Sequence, residues 1–174
     1  FLAAKISFIN EVADLCECCN ADVRKVAEGM GLDKRIGPEF LKAGPGFGGS
    51  CFPKDVKALI SMAGKHGVMA RIAKCVLDVN EERKIQMAEK IIKLVDPDGI
   101  PAGLDGKPRE VTPADGRPLD RTPQDGKPSD RKPVIGVLGL SFKPGTDDIR
   151  ESPSIAIIME LLKKGAVIKV FDPR

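Results

Sequence analysis

The chain has 174 residues, with 28 Lys and Arg against 25 Asp and Glu, no Trp or Tyr, and seven Phe. A net charge of +3 spread over a chain that is 30% charged lacks the dense basic stripe of a nucleic-acid binder, and so few rings offer no stacking platform for single strands. No apolar run approaches the roughly 18 residues of a membrane-spanning helix, no basic-then-apolar leader opens the chain, and five cysteines without framework spacing fit reduced thiols in a cytoplasmic protein.

Residues 1–95 read as helical. Leu2, Ile6, Ile9, Val12, Ala13 and Cys16 recur at threes and fours and predict a helix over 1–19. Because Phe1 already lies in that pattern, the chain is expected to be a piece of something longer. Asn20 is placed to cap a second helix over 21–30, with Val23, Val26 and Ala27 inward. Gly29, Gly31, Gly37 and Pro38 punctuate a turn region. Pro53 opens a third helix that runs to about Lys65. A fourth covers 70–95, about 39 Å at 1.5 Å per residue. Its stripe of Ile72, Val76, Val79, Met87, Ile91 and Leu94 is broken by Asn80-Glu81-Glu82-Arg83. That length suits a helix pairing two copies of the chain, and equally a buried core helix.

Residues 96–133 differ in kind. They hold eight of the chain's 14 prolines, and from Asp105 a proline returns every fifth residue. Such spacing forbids helix and central strand, and the apolar content is too low to offset ordering. A disordered linker is expected, a solvated spacer with a partner-binding tract as the alternative. Residues 134–174 return to a folded pattern: a buried-type strand over 134–140, a helix over 153–164 ended by Gly165, and a strand over 167–171. This is one βαβ unit, which cannot cover both faces of its own sheet. The fold class is therefore a mainly α domain joined to an incomplete, Rossmann-like α/β unit.

The chemistry concentrates in Gly44-Pro45-Gly46-Phe47-Gly48-Gly49-Ser50-Cys51-Phe52-Pro53-Lys54-Asp55. The glycines allow close backbone approach to a ligand and deliver Cys51 to the front of a helix. There the helix dipole, the free N–H groups and Lys54 favour a nucleophilic sulfur. Asp55 falls on the same helical face and can steer water. Attack, thioester and hydrolysis form one reading; a structural cysteine in an ordinary loop-to-helix cap is the other.

Gly46 to Asp55 closely resembles the catalytic segment of the UDP-glucose 6-dehydrogenases. Val137-Leu138-Gly139-Leu140-Ser141-Phe142-Lys143-Pro144-Gly145-Thr146-Asp147-Asp148-Ile149-Arg150-Glu151-Ser152-Pro153 resembles that family's entry into its UDP-binding domain. The resemblance implies oxidation of UDP-glucose to UDP-glucuronate with two NAD⁺. It makes Cys51 the nucleophile for the C6 aldehyde and Asp55 the residue that positions or activates water. It places Phe40, Leu41, Lys42 and Gly46, Phe47, Gly48 and Gly49 along the sugar-nucleotide site, with Phe142 and Lys143 as further substrate contacts. Lys54 and Arg150 match cofactor contacts, Arg35 resembles an arginine reaching a neighbouring subunit's substrate, and a homodimer through the 70–95 helix is implied. Phe52-Pro53 favours UDP-glucose over GDP-mannose.

The departures bear on activity. No Gly-x-Gly-x-x-Gly follows a strand, so the family's NAD-binding domain has no counterpart here. Lys5 and Asn10 do not align with the family's catalytic lysine and asparagine. The chain alone is expected to be inactive, and a non-catalytic dimerisation fragment or one half of a split enzyme is the competing class. Cys16, Cys18 and Cys19, with one His in the chain, make no zinc set, and no metal site is expected. Cys75 reads as core, His66 as a helix end and Lys163-Lys164 as a solvated helix end.

Overall fold

The structure, a computed structural model, describes residues 1–95 and 132–173. Five helices and two strands follow in the order α1 (Leu2–Cys19), α2 (Val23–Gly31), α3 (Phe52–Lys65), α4 (Arg71–Val95), β1 (Val134–Leu138), α5 (Pro153–Lys163) and β2 (Val167–Phe171). All seven lie within two residues of the boundaries the sequence pattern predicts. The expected linker over 96–133 lies outside the described residues except for its last two.

The helix ends show where local signals compete. Asn20 does not start α2; it ends α1 in the left-handed conformation that asparagine tolerates (φ 55°). The cap of α2 is Asp22, whose carboxylate accepts the Arg24 N–H at 2.9 Å. No residue of α2 is fully buried among the described residues; Val23 and Ala27 are half-buried and Val26 is exposed. Pro53 sits in the first turn of α3 with Asp55 beside it, and Lys65 lies in the last turn, each on the side the helix dipole favours. His66 terminates that helix as expected.

Helix α4 is the hub. Its first half packs on α1 and α3, around buried Ala3, Phe47 and Val76 with Ile6, Phe52, Val56 and Leu77 against them. Its second half packs on α5, where Ala88, Ile157, Leu161 and Ala166 are buried together and Met87, Ile91, Ile135 and Ile168 close around them. The stripe expected to pair two chains is thus partly consumed at home: Val76 and Ile91 serve these two cores. Ile72, Ile85 and Leu94 stay exposed. Cys75, read as core, is exposed because the inward face of α4 at that level is taken by Val76 and Asn80.

α1 buries Ile9, Ala13 and Cys16 of the stripe its aliphatics outline, and widens that face with polar residues. Leu2 is 40% exposed, whereas Lys5, Ser7 and Asn10 are buried beside Ala3, Ile9, Ala13 and Cys16. Lys5 and Ser7 are bonded to distant backbone, whereas the Asn10 Nδ2 is buried with no hydrogen-bond partner among the described residues. Lys5 Nζ donates to the carbonyls of Ile36 and Gly37 at 2.9 and 3.2 Å, and Ser7 Oγ donates to the Val76 carbonyl at 2.9 Å. In the α/β unit β1 and β2 are parallel, Val134 opposite Val167 and Leu138 opposite Phe171. The strand expected over 134–140 ends at Leu138, which is 85% exposed.

Candidate active site

The loop from Gly44 to Ser50 hangs on two helices and a third segment. Asn10 of α1 accepts the Gly44 N–H at 2.8 Å, and Arg83 of α4 donates its Nε–H to the Gly44 carbonyl at 2.9 Å. Asn80 takes Phe47 from both sides: its Oδ1 accepts the Phe47 N–H at 2.7 Å and its Nδ2 donates to the Phe47 carbonyl at 3.0 Å. The Phe47 side chain is buried and meets Phe52 edge-on, centroids 5.8 Å apart. Leu41 is buried as well, so Leu41 and Phe47 can offer a ligand backbone rather than side chain. Phe40 stands at φ 64°, edge-on to Phe52 at 5.9 Å, and Lys42 is exposed.

Beyond Phe47 the backbone runs against the second unit. The Gly49 N–H donates to the Arg150 carbonyl at 2.8 Å. A Cβ on Gly48 would stand 2.3 Å from the Glu151 carbonyl oxygen, and one on Gly49 would stand 2.7 Å from the Phe142 ring. Glycine at these two positions is therefore a condition of contact between the loop and residues 142–151. Lys57 of α3 ties the same joint with an ion pair to Glu151 at 2.9 Å, and Ser152 Oγ donates to the Leu140 carbonyl at 2.6 Å.

Cys51 is the N-cap residue of α3 and is exposed, with the Ser50 hydroxyl 3.8 Å from its sulfur. Lys54 and Asp55 follow in the first turn, 3.5 Å apart and both largely exposed. Arg150 lies within electrostatic reach of the Cys51 thiol while its guanidinium grips Asp148 at 2.9 and 2.6 Å. The Arg150 side chain, with its backbone N–H, holds the Asp148 carboxyl down at about 2. Lys143 Nζ stands 5.3 Å from the centre of the Phe142 ring. An accessible sulfur at a helix N-terminus, two cations and a carboxylate one turn on can capture an electrophilic carbon and deliver water to it.

The structure thus gathers Cys51, Lys54, Asp55, Gly46 to Gly49, Phe142 and Arg150. Arg35 belongs to no such cluster within the described residues; it is exposed and paired with Asp33 through Nε at 3.0 Å. Reading the sequence missed the supports: Asn10, Asn80, Arg83, Lys57 and Glu151. One signal was visible, the polar run Asn80–Arg83 inside an apolar stripe. Two clefts, of about 210 Å³ between α1 and α4 and about 850 Å³ beside Phe1 and Ile72, are not lined by Cys51.

Comparison with known proteins agrees with this geometry. Residues 1–82 match the central domain of the UDP-glucose/GDP-mannose dehydrogenase family, and residues 136–174 match its UDP binding domain. A UDP-glucose 6-dehydrogenase of Rickettsia bellii is 46% identical over 173 residues, 99% of this chain and 33% of its own length. The structure of a UDP-glucose dehydrogenase from Pyrobaculum islandicum superposes with a TM-score of 0.75 at 39% identity, over 99% of this chain and 33% of that one. A GDP-mannose dehydrogenase from Pseudomonas aeruginosa gives a TM-score of 0.53 at 29% identity, over 98% and 31%. The chain spans about a third of the length of the curated relatives it matches. With the cysteine loop and the segment that receives it falling in those two matched domains, this chain belongs to the UDP-glucose/GDP-mannose dehydrogenase family.

Proposed function

We propose that this chain carries the nucleophile and part of the sugar-nucleotide site of an NAD-dependent UDP-glucose 6-dehydrogenase. One observation carries the reading: the loop bearing Cys51 is seated through Gly48 and Gly49 on the Phe142–Glu151 segment. The sulfur and the UDP side of the site then share one surface. The relatives named UDP-glucose 6-dehydrogenase support the choice of UDP-glucose over GDP-mannose.

In this reading Cys51 sulfur adds to the C6 aldehyde of the sugar, the S–C bond forming as the carbonyl oxygen takes a proton. The resulting thiohemiacetal is held until it becomes a thioester, and Asp55 orients the water that releases the carboxylate and returns the thiol. Phe142 and the Gly46–Gly49 backbone hold the sugar nucleotide, with Lys143, Lys42 and Phe40 at its margin. Arg35, exposed, serves a neighbouring chain. NAD⁺, when bound, supplies the hydride acceptor for both oxidations. The exposed cations Lys54 and Arg150 fit contacts to such an anionic dinucleotide, while no Gly-x-Gly-x-x-Gly follows a strand in the sequence. The 174-residue chain by itself is accordingly expected not to reduce NAD⁺. Pairing of two copies belongs to the same proposal, through the exposed Ile72, Ile85 and Leu94 of α4.

The test is ligand protection. UDP-glucose should slow iodoacetamide alkylation of Cys51, followed by peptide mass spectrometry, and leave exposed Cys18 and Cys19 unaffected. Alkylation of Cys51 indifferent to saturating UDP-glucose would contradict the reading. Protection by GDP-mannose alone would move the substrate assignment.

A further inference from the structure

The polar run Asn80–Arg83 interrupts the apolar stripe of α4 at the level where the cysteine loop crosses it. Asn80 is 1% exposed and Arg83 5%, so neither is a solvated surface residue. A buried carboxamide costs stability unless both its ends are bonded. Those of Asn80 are bonded, and both partners belong to one peptide residue, Phe47. An amide that matches a backbone N–H and C=O together fixes that residue's position and its rotation about the chain. Phe47 is four residues before Cys51 and two before Gly49, whose N–H reaches Arg150. Arg83 holds Gly44 three residues earlier and is itself held by Asp14, which Lys90 also grips at 2.6 Å.

We propose that Asn80 is a positioning residue for Cys51: from the inside of α4 it fixes the Phe47 peptide, and so sets how the glycine loop meets Arg150 and where the sulfur stands. The proposal deepens the reading of Cys51 as nucleophile and rests on it for its functional meaning, while the positioning itself is measurable without substrate. Gly46 supplies a second handle: a Cβ there would come within 2.9 Å of Asn80 Oδ1 and would also strain a backbone that stands at φ 113°.

The experiment compares the wild-type chain with Asn80→Leu, which keeps the volume and removes both bonds, and with Gly46→Ala, which crowds the same bond from the loop side. Three quantities are read: hydrogen exchange at the Gly49 amide, the ratio of Cys51 to Cys18/Cys19 alkylation rates, and exchange across α1 and α4. In each variant Gly49 exchange should rise about tenfold, the scale of losing a buried hydrogen-bond pair. The alkylation ratio should change with it while the α1 and α4 amides stay protected. In the double variant the effects should not add, as for two changes to one contact. If Asn80→Leu does not fold, Asn80→Asp, which keeps the acceptor for the Phe47 N–H and loses the donor to its carbonyl, decides by the same readings. A Gly49 amide and an alkylation ratio both unchanged would overturn the proposal, as would strictly additive effects. Loss of UDP-glucose protection in the wild-type chain would count against the proposed function and leave this result to stand or fall on exchange and alkylation.

Discussion

Replacing Gly48 by alanine tests the joint between the cysteine loop and the second unit most sharply. The added Cβ would lie 2.3 Å from the Glu151 carbonyl oxygen and 2.9 Å from Pro153 Cδ. Relief to the 3.0 Å that real contacts respect requires a movement of about 0.7 Å between two backbones. Neither is free to give. Glu151 already stands at φ 53°, Lys57 holds its side chain, and the neighbouring peptide accepts the Gly49 N–H at 2.8 Å. Overpacking costs about 1–3 kcal/mol, and loss of the buried Gly49 bond about 1 kcal/mol more. The substitution should therefore destabilise the chain by about 2–4 kcal/mol in urea unfolding, and should expose the Gly49 amide to exchange. Gly29→Ala is the internal control: nothing lies within 4 Å of its Cβ position in the interior of α2, so a gain of about 0.5–1 kcal/mol is expected. A Gly48→Ala chain as stable as wild type would refute the contact on which the site is built.

Two further outcomes follow from the packing and the charges. Leu161 is fully buried where α4 meets α5, so Leu161→Ala should cost about 2–5 kcal/mol in urea unfolding; a loss under about 1 kcal/mol would show that this core does not join the two parts. For Asp14, partial burial pushes the carboxyl up, but bonds from Lys90 and Arg83 outweigh it and the net direction is down. Its contribution to stability is thus complete above the ordinary carboxylate value near about 4 and lost as pH falls through the lower folded value. Wild type should lose more stability than Asp14→Asn between about pH 5 and pH 3, read from urea midpoints; equal losses would contradict the ion-pair assignment.

The fold was legible wherever a single local signal governed. Helical periodicity located α1, α3, α4 and α5, Pro53 marked the start of α3, and short apolar runs rich in β-branched residues located both strands. Failures came where a polar side chain served a partner distant in sequence. Nothing local says that Lys5 faces inward to meet carbonyls 31 and 32 residues on, or that Asn80 meets Phe47. Cys75 misled because small apolar character says nothing about which side of a long helix is covered. Asn20 misled because the residue suited to starting one helix also ends another in left-handed geometry. In the site, the cysteine loop was legible from its glycines and the helix that follows. Its seat on residues 142–151 was not derivable from spacing, because contact across more than 90 residues depends on how α4 packs α5.

The central claim is that Cys51 takes the C6 carbon of a UDP-sugar. The direct measurement adds UDP-glucose 6-aldehyde, carbon-13 labelled at C6, to the chain without cofactor and follows the labelled carbon by NMR. A thiohemiacetal carbon resonance should grow in with wild type and be absent with Cys51→Ser, while Cys18→Ser and Cys19→Ser retain it. A thiohemiacetal that survives Cys51→Ser, or none in the folded wild-type chain at saturating aldehyde, would contradict the account.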